Sequence, residues 1–280
     1  MKPEQICGPV ATHGESPVWS ADWGGLRFVD LVAGDVVRLA DDGVERWHVG
    51  THACAIRPRH DGGIVLALER GFALAEGWGS PVTALGELWT DPGIRFNDGG
   101  CDPDGGFLCA SVPYSFSGAD GVMYRLHADR TVERLFAGLG VSNGLEWTAA
   151  GDAAYYTDSL TGRIDRFAYD RTRGLHERRP FAAVPDDAGY PDGLTVDVEG
   201  GVWVALWSGG AVHRYAPDGR LDAVVRVPVR GTTACTFGGA NLDELFITTM
   251  RMDGDPEPAA GAVFRYTPGI RGVPARTFAG

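Results

Sequence analysis

The sequence predicts an all-β chain folded as a six-bladed β-propeller, with four-stranded blades around a central channel and one domain over residues 1–280. Three observations predict it. Short apolar runs are bounded by Gly, Asp and Pro, helical periodicity is nearly absent, and one order of parts returns six times. The 41 glycines and 17 prolines are spread along the whole chain, so they punctuate turns rather than mark a disordered segment. A hydrophobic content of 44%, with eight tryptophans, is enough for a sizeable core.

The strand-like runs come in order as "LRFVDL" from Leu26, "GIVLAL" from Gly63, "FLCASV" from Phe107 and "VMYRLH" from Val122, then "AYYTDS" from Ala154, "VWVALW" from Val202, "ELFITT" from Glu244 and "AVFRYT" from Ala262. Six longer stretches align on an anchor residue followed by strand, glycine turn and strand. They begin at Glu15, Ala53, Asn97, Asn143, Asp192 and Thr233. The anchors recur about every 44 residues, within the period of a propeller blade. A β-sandwich gives no reason for such an interval.

In a propeller the first strand of each blade runs beside the channel. Glu15, Asn97, Asn143 and Asp192 then converge at its entrance from four blades. Two carboxylates and two carboxamides face to face are costly unless a cation lies between them, and an all-oxygen set suits a hard divalent ion. Taken singly, each residue has a plainer reading. Pro191-Asp192-Gly193 is ordinarily a turn, Asn97 and Asn143 are each followed closely by glycine as turn residues are, and Glu15 suits a solvated strand start.

A formal charge of -12 argues against nucleic-acid and anionic-membrane partners. The N-terminus has no apolar run of signal-peptide length. The five cysteines lack CxxC spacing and read as reduced, mostly buried thiols, so the expected location is cytoplasmic. There is no HExxH or phosphate loop. "CDPDGG" from Cys101 and "VDVEGG" from Val196 read as hairpin turns. The histidines read as surface or supporting residues, with His13 the one near the entrance.

"GESPVW" at Gly14, "RFNDG" at Arg95, "SNGLEW" at Ser142 and "PDGLTVD" at Pro191 together resemble the SMP-30/gluconolactonase family, which includes regucalcin, sugar lactonases and luciferin-regenerating enzymes. The likeness extends to "YYTDS", "TTACTFGG" and the closing "GIRGVPARTFAG". The resemblance implies a six-bladed propeller holding one divalent metal ion (Ca, Zn, Mn or Fe(II)) through Glu15, Asn143 and Asp192. It also implies substrate contacts from Arg95 and Asn97. The chain departs from the animal members in the loop "SVPYSFSG", where Tyr114 stands near the place of a sugar-contacting glutamate.

The function expected is metal-dependent hydrolysis of a small-molecule sugar lactone. Asp192 would serve as ligand and general base, with an ion-bound hydroxide as the competing base. A non-catalytic calcium-binding propeller, or a related esterase or organophosphate hydrolase, is the alternative.

Overall fold

Each apolar run read as a strand is a strand in the computed structural model, which describes residues 2–40, 43–252, 254 and 257–280. The chain begins with β1 (Glu4–Gln5). Blade one is β2 (Gly14–Ser20), β3 (Gly25–Asp30), β4 (Asp35–Ala40) and β5 (Gly43–His48). Blade two is β6 (Ala53–Pro58), β7 (Ile64–Leu68), β8 (Phe72–Ala75) and β9 (Thr83–Ala84). Blade three is β10 (Ile94–Cys101), β11 (Phe107–Pro113), β12 (Gly121–Leu126) and β13 (Val132–Leu139). Blade four is β14 (Ser142–Trp147), β15 (Ala153–Asp158), β16 (Arg163–Asp170) and β17 (Gly174–Ala183). Blade five is β18 (Tyr190–Val196), β19 (Val202–Trp207), β20 (Ala211–Tyr215) and β21 (Leu221–Arg226). Blade six holds β22 (Thr232–Gly238), β23 (Glu244–Thr249) and β24 (Phe264–Tyr266). All six sheets are four-stranded and antiparallel, and the innermost strands neighbour one another in a closed ring.

The fourth strand of blade six is β1, so the first and last strands of the chain close the ring. Glu4 pairs with Arg265 in the register, and their side chains form an ion pair at 2.9 Å. The repeat alone did not reveal this closure, because two residues carry too little pattern.

The strands read as unbroken apolar runs because both faces are buried between neighbouring blades. On β7, Ile64 and Leu66 pack towards Val29, Leu31 and Val36 of blade one, while Val65 and Ala67 pack towards Phe96 and Phe107 of blade three. Six such clusters exist, one at each blade interface. Each large apolar side chain buried there contributes about 1.5–3 kcal/mol. The outer strands β5, β13 and β21 are largely exposed.

The segment after β24 crosses the ends of the innermost strands away from the anchors. The amide of Val273 donates to Val196 O, and that of Phe278 donates to Pro58 O, at 3.1 and 2.9 Å. Phe278 is fully buried between blades two and three. The hairpin aspartates behave as read. Asp102 Oδ1 accepts from the amides of Asp104 and Gly106, and Asp197 Oδ1 from those of Glu199 and Gly201.

All five cysteines are free, four of them buried in strands. One expectation is corrected: His213 on β20 is a core residue, 3% exposed. Among the described residues no helix is long and apolar enough to cross a membrane.

Candidate metal and substrate site

Every innermost strand carries a β-bulge at its anchor. The register shifts between Glu15 and Val18, Ala53 and Ala55, Phe96 and Gly99, Ser142 and Leu145, Pro191 and Leu194, and Thr232 and Ala234. A bulge unpairs a residue and re-aims its side chain, here at the mouth of the channel. Pro17 lies inside the shifted stretch of β2.

Pro191-Asp192-Gly193 is therefore not a turn, since it lies within β18. The glycines following Asn143 and Asp192 answer to crowding at the axis rather than to left-handed backbone. A Cβ at Gly144 would stand 2.5 Å from the amide nitrogen of Leu194, and one at Gly193 would collide with Ala234. Glycine lets adjacent innermost strands approach closely enough for their anchors to meet.

Glu15, Asn97, Asn143 and Asp192 are all buried at the mouth, 5–7% exposed. A directed chain of hydrogen bonds joins three blades. Arg95 Nη1 donates to Asn97 Oδ1 at 2.6 Å, and Asn97 Nδ2 donates to Asn143 Oδ1 and to Ser142 O, both at 2.7 Å. Asn143 Nδ2 donates to Ser159 Oγ, which donates to Pro191 O, again at 2.7 Å each. The single proton of Ser159 is engaged by Pro191, so the hydroxyl can only accept from Asn143. That fixes the Asn143 amide with its oxygen turned away from Ser159, one lone pair beyond its bond to Asn97.

The carboxylates are held at a cost. Asp192 Oδ1 is buried with no hydrogen-bond partner. Burial, then the charges of Glu15 and Asp98, push the Asp192 carboxyl well above the usual range. Asp98, inside the blade-three bulge, is lifted to about 7 by burial and by Glu15, with Arg57 acting the other way. Arg57 lies in the channel, where its Nη2 donates to Gly99 O at 2.6 Å and its Nη1 to Ser16 Oγ at 3.2 Å. Ser16 adopts φ +44°, a strained conformation stabilised by that bond and by the Ile56 amide.

The donor set fits a divalent cation. An orphaned carboxylate oxygen and mutually repelling buried acids are what an ion would relieve, and the Asn143 oxygen supplies a neutral ligand. Among the described residues no three His, Cys, Asp or Glu side chains cluster at metal-holding spacing; the set is a mixture of acids and amide. His13 Nε2 lies 3.5 Å from Glu15 Oε1 as expected, but it is not the one histidine here, since His52 lies on the same face beside Tyr114 and Glu69.

Arg95 is 3% exposed, its guanidinium 5.8 and 5.5 Å from the ring centroids of Tyr114 and Phe116. Tyr114 follows β11 on the anchor-bearing face, and its hydroxyl donates to Glu69 Oε1 at 2.7 Å.

The region described as "SMP-30/Gluconolactonase/LRE-like region" matches residues 13–251. The chain belongs to that family. Regucalcin of Danio rerio is 34% identical over 279 residues, 95% of either chain. The structure of a luciferin-regenerating enzyme superposes with a TM-score of 0.91 at 28% identity, over 99% of both chains. Regucalcin of Agrobacterium tumefaciens, described as a calcium-binding protein, does so at 0.87 and 26%, over 96% of this chain and 93% of that one.

Within this SMP-30/gluconolactonase-like chain, sequence reasoning missed Asp98, Ser159, Arg57 and Glu69. Asp98 and Ser159 lie inside the quoted motifs "RFNDG" and "YYTDS", but nothing local says that they face the channel. Arg57 and Glu69 belong to blade two, whose anchor stretch offers no polar side chain at its bulge.

Proposed function

We propose that this chain is a divalent-metal-dependent lactonase that opens sugar lactones to the free aldonic acids. The observation that carries the reading is Asp192 Oδ1, buried, unpartnered and pressed by Glu15 and Asp98. Glu15, Asn143 and Asp192 would hold the ion, which when bound would polarise the lactone carbonyl and offset negative charge developing on it. The family description includes gluconolactonase, and one relative is described as calcium-binding.

The chain's own residues divide the remaining work. Asp192 accepts a proton from the water attacking the carbonyl carbon, and that water's oxygen forms the new C–O bond as the ring C–O bond breaks. The same proton then passes to the departing ring oxygen. Asn97 and Arg95 act mainly by position: Arg95 braces Asn97, and Asn97 braces Asn143. Tyr114 forms part of the wall beside them. Burial pushes the Cys54 thiol at the blade-two bulge up to about 12, so it offers no thiolate nucleophile at neutral pH.

The calcium-binding description of the Agrobacterium relative also favours a second reading, a binding propeller without catalysis. Ring opening of a panel of aldonolactones separates the two. Activity should vanish when divalent ions are stripped and return on adding them back, and Asp192→Ala should lower kcat/KM by about 10²–10⁴. Unchanged ring opening by Asp192→Ala would end this proposal.

A further inference from the structure

Blade two is the gap in the ring of anchors. Where the other blades bring acids, amides or a threonine to the bulge, β6 brings Cys54, small, buried and uncharged. The space beside it is furnished from elsewhere. Glu69 follows β7, and its carbonyl accepts from the Phe96 amide at 2.8 Å, which seats it next to Arg95. The Tyr114 hydroxyl donates to Glu69 Oε1 at 2.7 Å, and His52 Nε2 lies 3.5 Å from the same phenol oxygen. Tyr114 and Phe116 are 36% and 47% exposed on this face.

Two features of this cluster point to a ligand. Glu69 Oε2 carries no hydrogen bond among the described residues, and the phenol proton is engaged by Oε1, so two oxygen acceptors stand side by side. His52 Nδ1 is buried without a hydrogen-bond partner, 3.9 Å from Glu69 Oε1, and burial first, then Arg95, lowers the His52 pKa, with Glu69 acting the other way. Paired acceptors flanked by aromatic faces suit neutral hydroxyl donors on a saturated ring. An apolar ring would strip water from Glu69 without replacing its hydrogen bond.

We infer that Glu69, held by Tyr114, is the specificity-determining residue, accepting hydrogen bonds from ring hydroxyls and so selecting polyhydroxylated over hydroxyl-free lactones. This rests on the lactonase reading, and the test separates the two.

The assay compares glucono-δ-lactone with δ-valerolactone in the wild type, Glu69→Gln and Tyr114→Phe. Glu69→Gln should lower kcat/KM for gluconolactone by about 10–100-fold, mostly through KM, and shrink the ratio between the substrates at least about tenfold. Tyr114→Phe, which releases Glu69 Oε1, should shrink that ratio by a smaller factor. Equal losses on both lactones, or an unchanged ratio, overturn the inference.

A second readout needs no hydrolysis. Anhydroglucitol, the unreactive cyclic polyol with the same ring, should bind the wild type in an NMR titration and bind Glu69→Gln at least about tenfold more weakly. No binding to the wild type, or equal binding to both, also overturns it. Glu69-dependent polyol binding in a protein that opens no lactone would sustain this inference while removing the lactonase.

Discussion

Replacing Ser159 with alanine removes one hydroxyl that serves two buried groups. Asn143 Nδ2 loses its acceptor and Pro191 O loses its donor, each previously bonded at 2.7 Å. An unpaired buried polar group costs about 1–3 kcal/mol. Both groups lie in a site where Asn143 is only 5% exposed, so the pair together should destabilise the ion-free protein by about 2–6 kcal/mol. In a chain of this size each kcal/mol lowers Tm by roughly 2–4 °C.

The functional loss follows from geometry. With Ser159 gone, the Asn143 amide no longer has its nitrogen end defined, and its oxygen is presented to the site only part of the time. Residues that orient metal ligands in this way are worth about 10–100-fold in affinity. Calorimetric titration of calcium into the ion-stripped wild type and Ser159→Ala measures that factor, and thermal melts measure the stability term. Ser159→Thr, which keeps a hydroxyl, should recover most of the affinity. An alanine variant that melts earlier yet binds the ion as tightly as the wild type would refute the claim that this hydroxyl sets the amide.

Three further outcomes follow from the fold. Burial lowers the His213 pKa below the ordinary 6.5, so below that pH the unfolded chain takes up a proton that the folded chain refuses. Stability from this group is therefore lost as pH falls. Unfolding at pH 7.5 and 5.5 should show His213→Gln losing less stability than the wild type over that interval, and equal losses would contradict the assignment. Deleting residues 2–9 removes β1 and with it the packing of Ile6 and Cys7. The loss should be about 2–4 kcal/mol, and light scattering should show association through the bared edge of β24. Gly144→Ala drives a methyl group into Leu194 and spreads β14 from β18. It should lower Tm and weaken ion binding together, and a variant that binds normally would show that the anchors tolerate a wider ring.

The blade pattern was legible in the sequence because its causes are local. A strand buried on both faces must be apolar throughout, as "GIVLAL" and "VWVALW" are, and a hairpin turn must carry Asp and Gly, as at Asp102 and Asp197. Six repetitions made these local signals add. The positions of Glu15, Asn97, Asn143 and Asp192 were legible for the same reason, since equal places in a repeat become equal places around an axis.

What only the tertiary structure decided involves residues with no shared local signal. The two residues of β1 finish a sheet whose other strands come from the far end of the chain. The bulges, rather than turns, aim the anchors, because neighbouring blades crowd the axis at Gly144 and Gly193. Asp98 presses on Asp192 from another blade, and Glu69 and Tyr114, far apart in sequence, meet through one hydrogen bond. Which side chains share a desolvated space depends on the closure of the whole ring, and no single stretch of residues encodes that.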